Sequence, residues 1–240
     1  MLSNIVRWLR LPFAGAPRTD RKYDALSLPE TFQSIYRAKR WGDDGNPFYS
    51  GHGSRGPVCE QYCAAVVKFI EDRQVRSVVD LGCGDFSVGR RIQEATGVRY
   101  TGIDVVPELI EHLKSTVHHP LVEFQCADIT RDKLPSADLC LIRQVLQHLS
   151  NEEIHRVLAN LGSFTQTLIS EDVPVHPKSI NRDKAHGPHV RSRFDSGVYV
   201  EQPPFSLPAV EFCSLPLKKN SMLRTVLFRQ TDRVTADAAA

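Results

Sequence analysis

Three things are scarce in this chain, and each scarcity narrows its class. Nowhere do about 18 consecutive apolar residues occur, the least that a membrane span needs, so no integral membrane contact is expected. Cysteine is sparse: Cys59, Cys63, Cys83, Cys126, Cys140 and Cys213 are scattered over 240 residues, which is no disulfide scaffold and fits a reducing, cytoplasmic setting. Cys59 and Cys63 lie one helical turn apart, but no close Cys or His completes a zinc set. Val66 stands where an iron–sulfur Cys-x3-Cys-x2-Cys pattern needs its third thiolate, so no metal is expected. Net charge is scarce too. Lys+Arg 30 against Asp+Glu 28 leaves +2, which disfavours a strongly basic nucleic-acid binder. In residues 1–13, Arg7 and Arg10 interrupt the apolar stretch, so secretion is not expected and a short amphipathic or frayed piece is.

The even balance hides a split. Residues 1–42 hold eight basic and three acidic side chains, whereas residues 61–170 hold eleven basic and fourteen acidic. The chain divides accordingly into an N-terminal preface over 1–56, a main domain over 57–230 and an unstructured tail over 231–240. Within the main domain the apolar spacing of Tyr62, Val66, Phe69 and Ile70 predicts a helix over 58–70. Short apolar runs predict strands over 77–81, 99–104, 122–126, 138–143 and 165–170. A helix over 107–115 opens on Pro107, and the capping box from Ser150 to Glu153 starts another over 151–163. Such alternation leaves room for crossover helices and none for hairpins, so the fold class is α/β with a mostly parallel sheet, closed by an antiparallel strand pair over 210–217 and 222–228. The long loop 172–208 holds six prolines and breaks the pattern.

Ligands of such sheets bind at the carboxyl ends of the strands. There Asp80-Leu81-Gly82-Cys83-Gly84 leaves a strand for a helix, and its glycines permit a tight turn and close approach to a ligand. Asp104, twenty residues after Gly84, closes the next strand, where a carboxylate accepts both hydroxyls of a ribose. A nicotinamide-binding domain is the rival, but it wants a third glycine where Ser87 stands. Asp80 would also repel a pyrophosphate.

This combination resembles the class I S-adenosylmethionine-dependent methyltransferases, whose first motif is an acidic residue followed by x-Gly-x-Gly and whose second is an acid closing strand two. The resemblance covers residues 77–171, with Phe86 standing where many members have another glycine. It implies a Rossmann-like fold, S-adenosyl-L-methionine as cofactor, and a cofactor site of Asp80, Gly82, Cys83, Gly84, Asp104, Val105, Asp128, Ile129 and Arg143. Asp128 and Ile129 would meet the adenine. Tyr36-x4-Trp41-Gly42 and Ser50-Gly51-His52-Gly53-Ser54 are similar to a preface that closes over the methionine end, which adds Gly51 and Ser54.

Methyl transfer to a hydroxyl needs alignment and a proton acceptor. His148, just past the fourth strand, is the expected base, with Asp172 and Glu171 in reserve. Lys178, Arg182, Lys184, Arg191 and Arg193 crowd residues 173–193, which suggests an anionic small molecule, sugar or glycan as acceptor. The alternatives are an RNA or protein methyltransferase, or a non-catalytic module that keeps the cofactor site; nucleic acid is disfavoured.

Overall fold

The computed structural model describes residues 21–23, 25–218 and 220–231. The expected N-terminal piece over 1–13 and nearly all of the expected tail lie outside them. The β-branched and apolar runs form the strands the sequence indicates: β1 (Ser77–Leu81), β2 (Arg99–Asp104), β3 (Val122–Cys126), β4 (Ala137–Arg143) and β5 (Phe164–Pro174) are parallel, and β8 (Ala209–Lys218) and β9 (Ser221–Arg229) run back as an antiparallel pair. The sheet order is β3-β2-β1-β4-β5-β9-β8, so the connections reverse direction between β1 and β4. A crevice opens at such a reversal.

Alternate residues of each strand face opposite layers. Val78, Leu139, Leu141 and Leu168 join the apolar faces of α2 (Gly56–Asp72), α3 (Ser87–Thr96) and α4 (Pro107–Thr116), while Val79, Cys140, Ile142 and Ile169 meet α5 (Asn151–Ala159). The capping box expected at Ser150 forms: its Oγ accepts the Glu153 N–H at 3.2 Å, and Glu153 Oε2 accepts the Ser150 N–H at 2.7 Å. An unanticipated second box, Ser27 with Glu30, starts α1 (Leu28–Arg37).

Two element ends differ from the sequence reading by several residues, and the long loop differs in kind. α5 stops at Ala159 and tightens into a 3-10 turn over Asn160–Ser163, where Asn160 Nδ2 donates to the carbonyls of Asp132 and Ile129. β5 runs on to Pro174 because β9, which the chain reaches only some fifty residues later, pairs with it as far as Ser221. The long loop is ordered. β6 (Ser179–Ile180) and β7 (Ser196–Gly197) pair within it, and Asn181 Nδ2 donates to the carbonyls of Tyr199 and Pro203 at 2.8 and 2.9 Å. Arg191, 1% exposed, donates to the carbonyls of Leu149 and Arg182, so its charge holds the loop onto the domain.

Candidate active site

At the carboxyl ends of β1, β2 and β4 lies a cavity of about 300 Å³. The turn after β1 is tied to β2, since the N–H groups of Gly82 and Cys83 both donate to the Ile103 carbonyl, at 2.8 and 2.9 Å. Gly82 and Gly84 have φ of 80° and 54°. A Cβ on Gly82 would lie 2.4 Å from Val145 Cγ2, and one on Gly84 would lie 2.2 Å from Ser50 Oγ, so both positions need glycine for backbone and space alike. Phe86 also adopts a positive φ, 61°, which explains why a glycine serves equally there. Its ring packs edge-on against Phe124 and Tyr100, and that burial holds the backbone in place.

The two acids at the strand ends are buried, and each has few partners for its charge. Asp104 accepts the N–H groups of Gly84 and Val106, both at 3.2 Å, yet burial lifts its pKa to about 6. Asp80 accepts the Tyr100 hydroxyl at 2.9 Å, and burial lifts it likewise to about 6. A ligand that brings positive charge and hydroxyl donors relieves both. Asp128 is more occupied: Oδ1 accepts the N–H and hydroxyl of Thr130, and Oδ2 pairs with Arg131 Nε at 2.8 Å, leaving room on Oδ2 for one further donor.

Residues 50–54 lock onto this floor. Ser50 Oγ accepts the Asp85 N–H at 2.7 Å and Asp85 Oδ2 accepts the Ser50 N–H at 3.1 Å. Ser54 Oγ donates to the Gly51 carbonyl at 2.7 Å, and Arg143 Nη2 donates to the Gly53 carbonyl at 2.5 Å while its guanidinium stacks over the Tyr62 ring.

The other end of the cavity is built around the 3-10 turn Leu146–His148, which follows β4. Glu171 organises it: Oε1 accepts the N–H groups of Val145 and Leu146 at 3.2 and 2.8 Å, and Oε2 accepts that of Gln147 at 3.2 Å. His148 Nδ1 lies 3.1 Å from the Gly187 carbonyl oxygen. A carbonyl only accepts, so Nδ1 carries the proton and Nε2 keeps its lone pair. Burial, with Lys184 nearby, pushes the His148 pKa down to about 3, so the ring is neutral at ordinary pH. Trp41 and Phe32 stand beside it, with ring centroids 5.1 and 6.4 Å away, and Trp41 Nε1 donates to the Pro188 carbonyl at 3.4 Å.

Asp80, Gly82, Cys83, Gly84, Asp104, Val105, Asp128, Ile129, Arg143, Gly51, Ser54 and His148 all line this one cavity. Asp172 does not; it accepts the Ser192 hydroxyl at 3.3 Å behind the wall. Glu171 acts beneath the His148 turn and is not part of the lining. Phe32, Leu28 and Val190 were missed. α1 shows its amphipathic face in the sequence, but nothing local says which wall that face completes.

The sheet order and the glycine turn between two acids define the Rossmann-like methyltransferase fold. Its solved relatives are distant in sequence. N-methyltransferase NodS from Bradyrhizobium japonicum WM9, crystallised with S-adenosyl-L-homocysteine, is 12% identical with a TM-score of 0.57, over 82% of this chain and 98% of that one. Magnesium protoporphyrin IX methyltransferase from Synechocystis PCC 6803 is 15% identical with a TM-score of 0.53, over 83% and 97%. Human N-acetylserotonin methyltransferase is 16% identical with a TM-score of 0.51, over 85% of this chain, which spans 60% of that protein's length. No curated protein matches the chain. Residues 78–166 match the family model described as a methyltransferase domain. The matched residues hold Asp80, the glycine turn, Asp104 and Asp128 of the cavity. No helix among the described residues is long and apolar enough to cross a membrane.

Proposed function

We propose that this chain is an S-adenosylmethionine-dependent methyltransferase that methylates a hydroxyl of a small-molecule acceptor, with His148 taking the hydroxyl proton. When bound, S-adenosylmethionine supplies an electrophilic methyl on a sulfonium. Asp104 would accept the ribose hydroxyls, Asp80 the methionine ammonium, Asp128 and Ile129 would meet the adenine, and Arg143 with Gly51 and Ser54 would close the methionine end. The observation that carries the reading is the Gly187 carbonyl on His148 Nδ1, which leaves Nε2 as the accepting nitrogen of a residue that lines the cavity. A folded pKa of about 3 makes a weak base, but it also ensures the base is unprotonated. Weakness is tolerable because the hydroxyl proton becomes strongly acidic only as the new O–C bond forms.

An anionic acceptor, which the basic loop suggests, finds little support in the lining. None of Lys178, Arg182, Lys184, Arg191 and Arg193 borders the cavity. Lys178 pairs with Asp195, Arg182 lies over Phe194, Lys184 Nζ is 3.4 Å from the His148 carbonyl, and Arg191 serves backbone. The wall beside His148 is instead Leu28, Phe32, Trp41, Leu149 and Val190. A neutral acceptor with an apolar face, sugars and hydroxylated rings included, suits it better. Transfer of a labelled methyl group to neutral hydroxylated acceptors, lost on His148→Ala with S-adenosylhomocysteine binding retained, tests the proposal. Transfer only to amines or only to anionic acceptors would overturn it.

A further inference from the structure

Leu26 stands two residues before α1, whose Leu28 and Phe32 border the cavity beside His148. His186, half-buried in the long loop, bridges this end of α1 to α5. Its Nδ1 lies 2.7 Å from Glu153 Oε1, and its Nε2 lies 3.1 Å from the Leu26 carbonyl oxygen. Burial works against the Glu153 carboxylate, but the hydrogen bonds from His186 and Ser150 outweigh it and hold its pKa below the usual glutamate value. A carboxylate and a carbonyl only accept, so both ring nitrogens carry protons and the ring is an imidazolium. The Glu153 hydrogen bond, which outweighs burial, accordingly holds the His186 pKa above the usual histidine value. Other charged groups on these segments are turned to other partners. Lys22 lies over the Tyr23 ring, Glu30 caps Ser27, Glu152 pairs with Arg156, Asp183 accepts the Asn151 N–H, and Lys184 Nζ is 3.4 Å from the His148 carbonyl.

We infer that His186 is a protonation-dependent latch: as an imidazolium it fastens the start of α1 to α5, and on losing a proton it frees Leu26 and loosens the wall formed by Leu28 and Phe32. The proton that leaves is the one on Nε2, because Nδ1–H faces a charged acceptor and is held there. Nε2 then turns a lone pair toward the Leu26 carbonyl oxygen, and two acceptors face each other at hydrogen-bond distance. The far end of α1 stays tied, since Arg37 pairs with Glu108 and the Tyr36 hydroxyl lies 3.3 Å from Ser50 Oγ. The released end therefore moves about a held one. A group whose pKa rises on folding stabilises fully below its unfolded value, 6.5 for histidine, and loses that effect as pH climbs through the folded value. The wall is thus firm below the His186 pKa and looser above it. That the wall serves an acceptor rests on the function proposed above, while the latch itself is read without any acceptor.

The test follows the full chain by NMR as pH is raised. The His186 ring should titrate with a midpoint above 6.5. Hydrogen exchange at the α1 amides, corrected for its intrinsic pH dependence, should quicken about tenfold across that midpoint, the worth of one hydrogen bond from a charged donor. In His186→Gln, whose amide donates at every pH, that step should vanish. Glu153→Gln keeps the capping box, because glutamine serves at that position, but removes the charge, and it should bring the His186 midpoint down to 6.5 or below. A wild-type midpoint at or below 6.5, α1 exchange that does not change across it, or a step that persists in His186→Gln overturns the inference. Should His186→Gln not fold, Glu153→Gln decides, and a His186 midpoint left where it was overturns the inference. Absence of methyl transfer to any hydroxyl would sink the proposed function and leave the latch standing; loss of the latch would leave the role given to His148 untouched.

Discussion

His148 and Gly187 hold each other by two hydrogen bonds, the ring Nδ1 donating to the Gly187 carbonyl at 3.1 Å and the Gly187 N–H donating to the His148 carbonyl at 2.9 Å. The pair joins the turn after β4 to the long loop across 39 positions. It fixes both the tautomer and the orientation of the ring, so the nitrogen left to accept, Nε2, is set by a backbone group that no substitution of a loop side chain removes.

Cofactor affinity should depend on pH through Asp80 and Asp104. Burial holds both near pKa 6, and a cationic, hydroxyl-bearing ligand favours their charged forms. S-adenosylhomocysteine binding measured by calorimetry should therefore tighten from pH 5 to pH 7, release protons below pH 7 and level off above it. Asp104→Asn should weaken binding by about tenfold or more and flatten the profile. An affinity in the wild-type protein that is independent of pH would contradict the assignment.

Gly84→Ala should abolish cofactor binding. The substitution places a Cβ 2.2 Å from Ser50 Oγ at a φ of 54°, which drives residues 50–54 off the glycine turn. A stability loss of about 1–3 kcal/mol is expected from strain and overpacking. Unfolding by urea gives the stability, and equilibrium dialysis with labelled cofactor gives the binding; unchanged dialysis would refute the packing argument.

Glu171 should make the apo protein less stable as pH rises. Its folded pKa of about 8 lies above the glutamate value of 4.5, raised by burial against three backbone hydrogen bonds that lower it. The folded state thus holds a proton that the unfolded chain releases between those values. The stability this confers is complete below pH 4.5 and is lost as pH climbs through 8, at up to about 1.4 kcal/mol per pH unit. Melting temperatures recorded from pH 5.5 to 8.5 should fall more steeply for the wild-type protein than for Glu171→Gln. Parallel curves would show that Glu171 does not change its protonation in this range.

What the sequence made legible was whatever depends on neighbours in the chain. Strands β1, β2 and β3 match their expected bounds to the residue, because a β-branched run between turn residues is a local signal, and the Ser150 capping box is a local pattern too. The floor of the cavity was legible for the same reason, since Asp80, Gly82, Gly84 and Asp104 sit at strand ends whose order a parallel sheet imposes. What was not legible is non-local. The reach of β5 to Pro174 depends on β9, and the structure of the long loop depends on Asn181 meeting the carbonyls of Tyr199 and Pro203. The basic residues of that loop suggested an anion by composition, but Arg191 turned out to bind backbone carbonyls and Lys178 to pair with Asp195. Phe32 on α1 and Trp41 just after it reach the cavity wall only because that segment folds over it.

The most direct measurement is single-turnover transfer of labelled methyl from saturating S-adenosylmethionine to a neutral hydroxylated acceptor, by the wild-type protein and by His148→Ala. The account predicts transfer by the wild-type protein, a rate at least about a hundredfold lower in the variant, as loss of a general base requires, and equal S-adenosylhomocysteine affinity in both. Transfer by His148→Ala at the wild-type rate would contradict it.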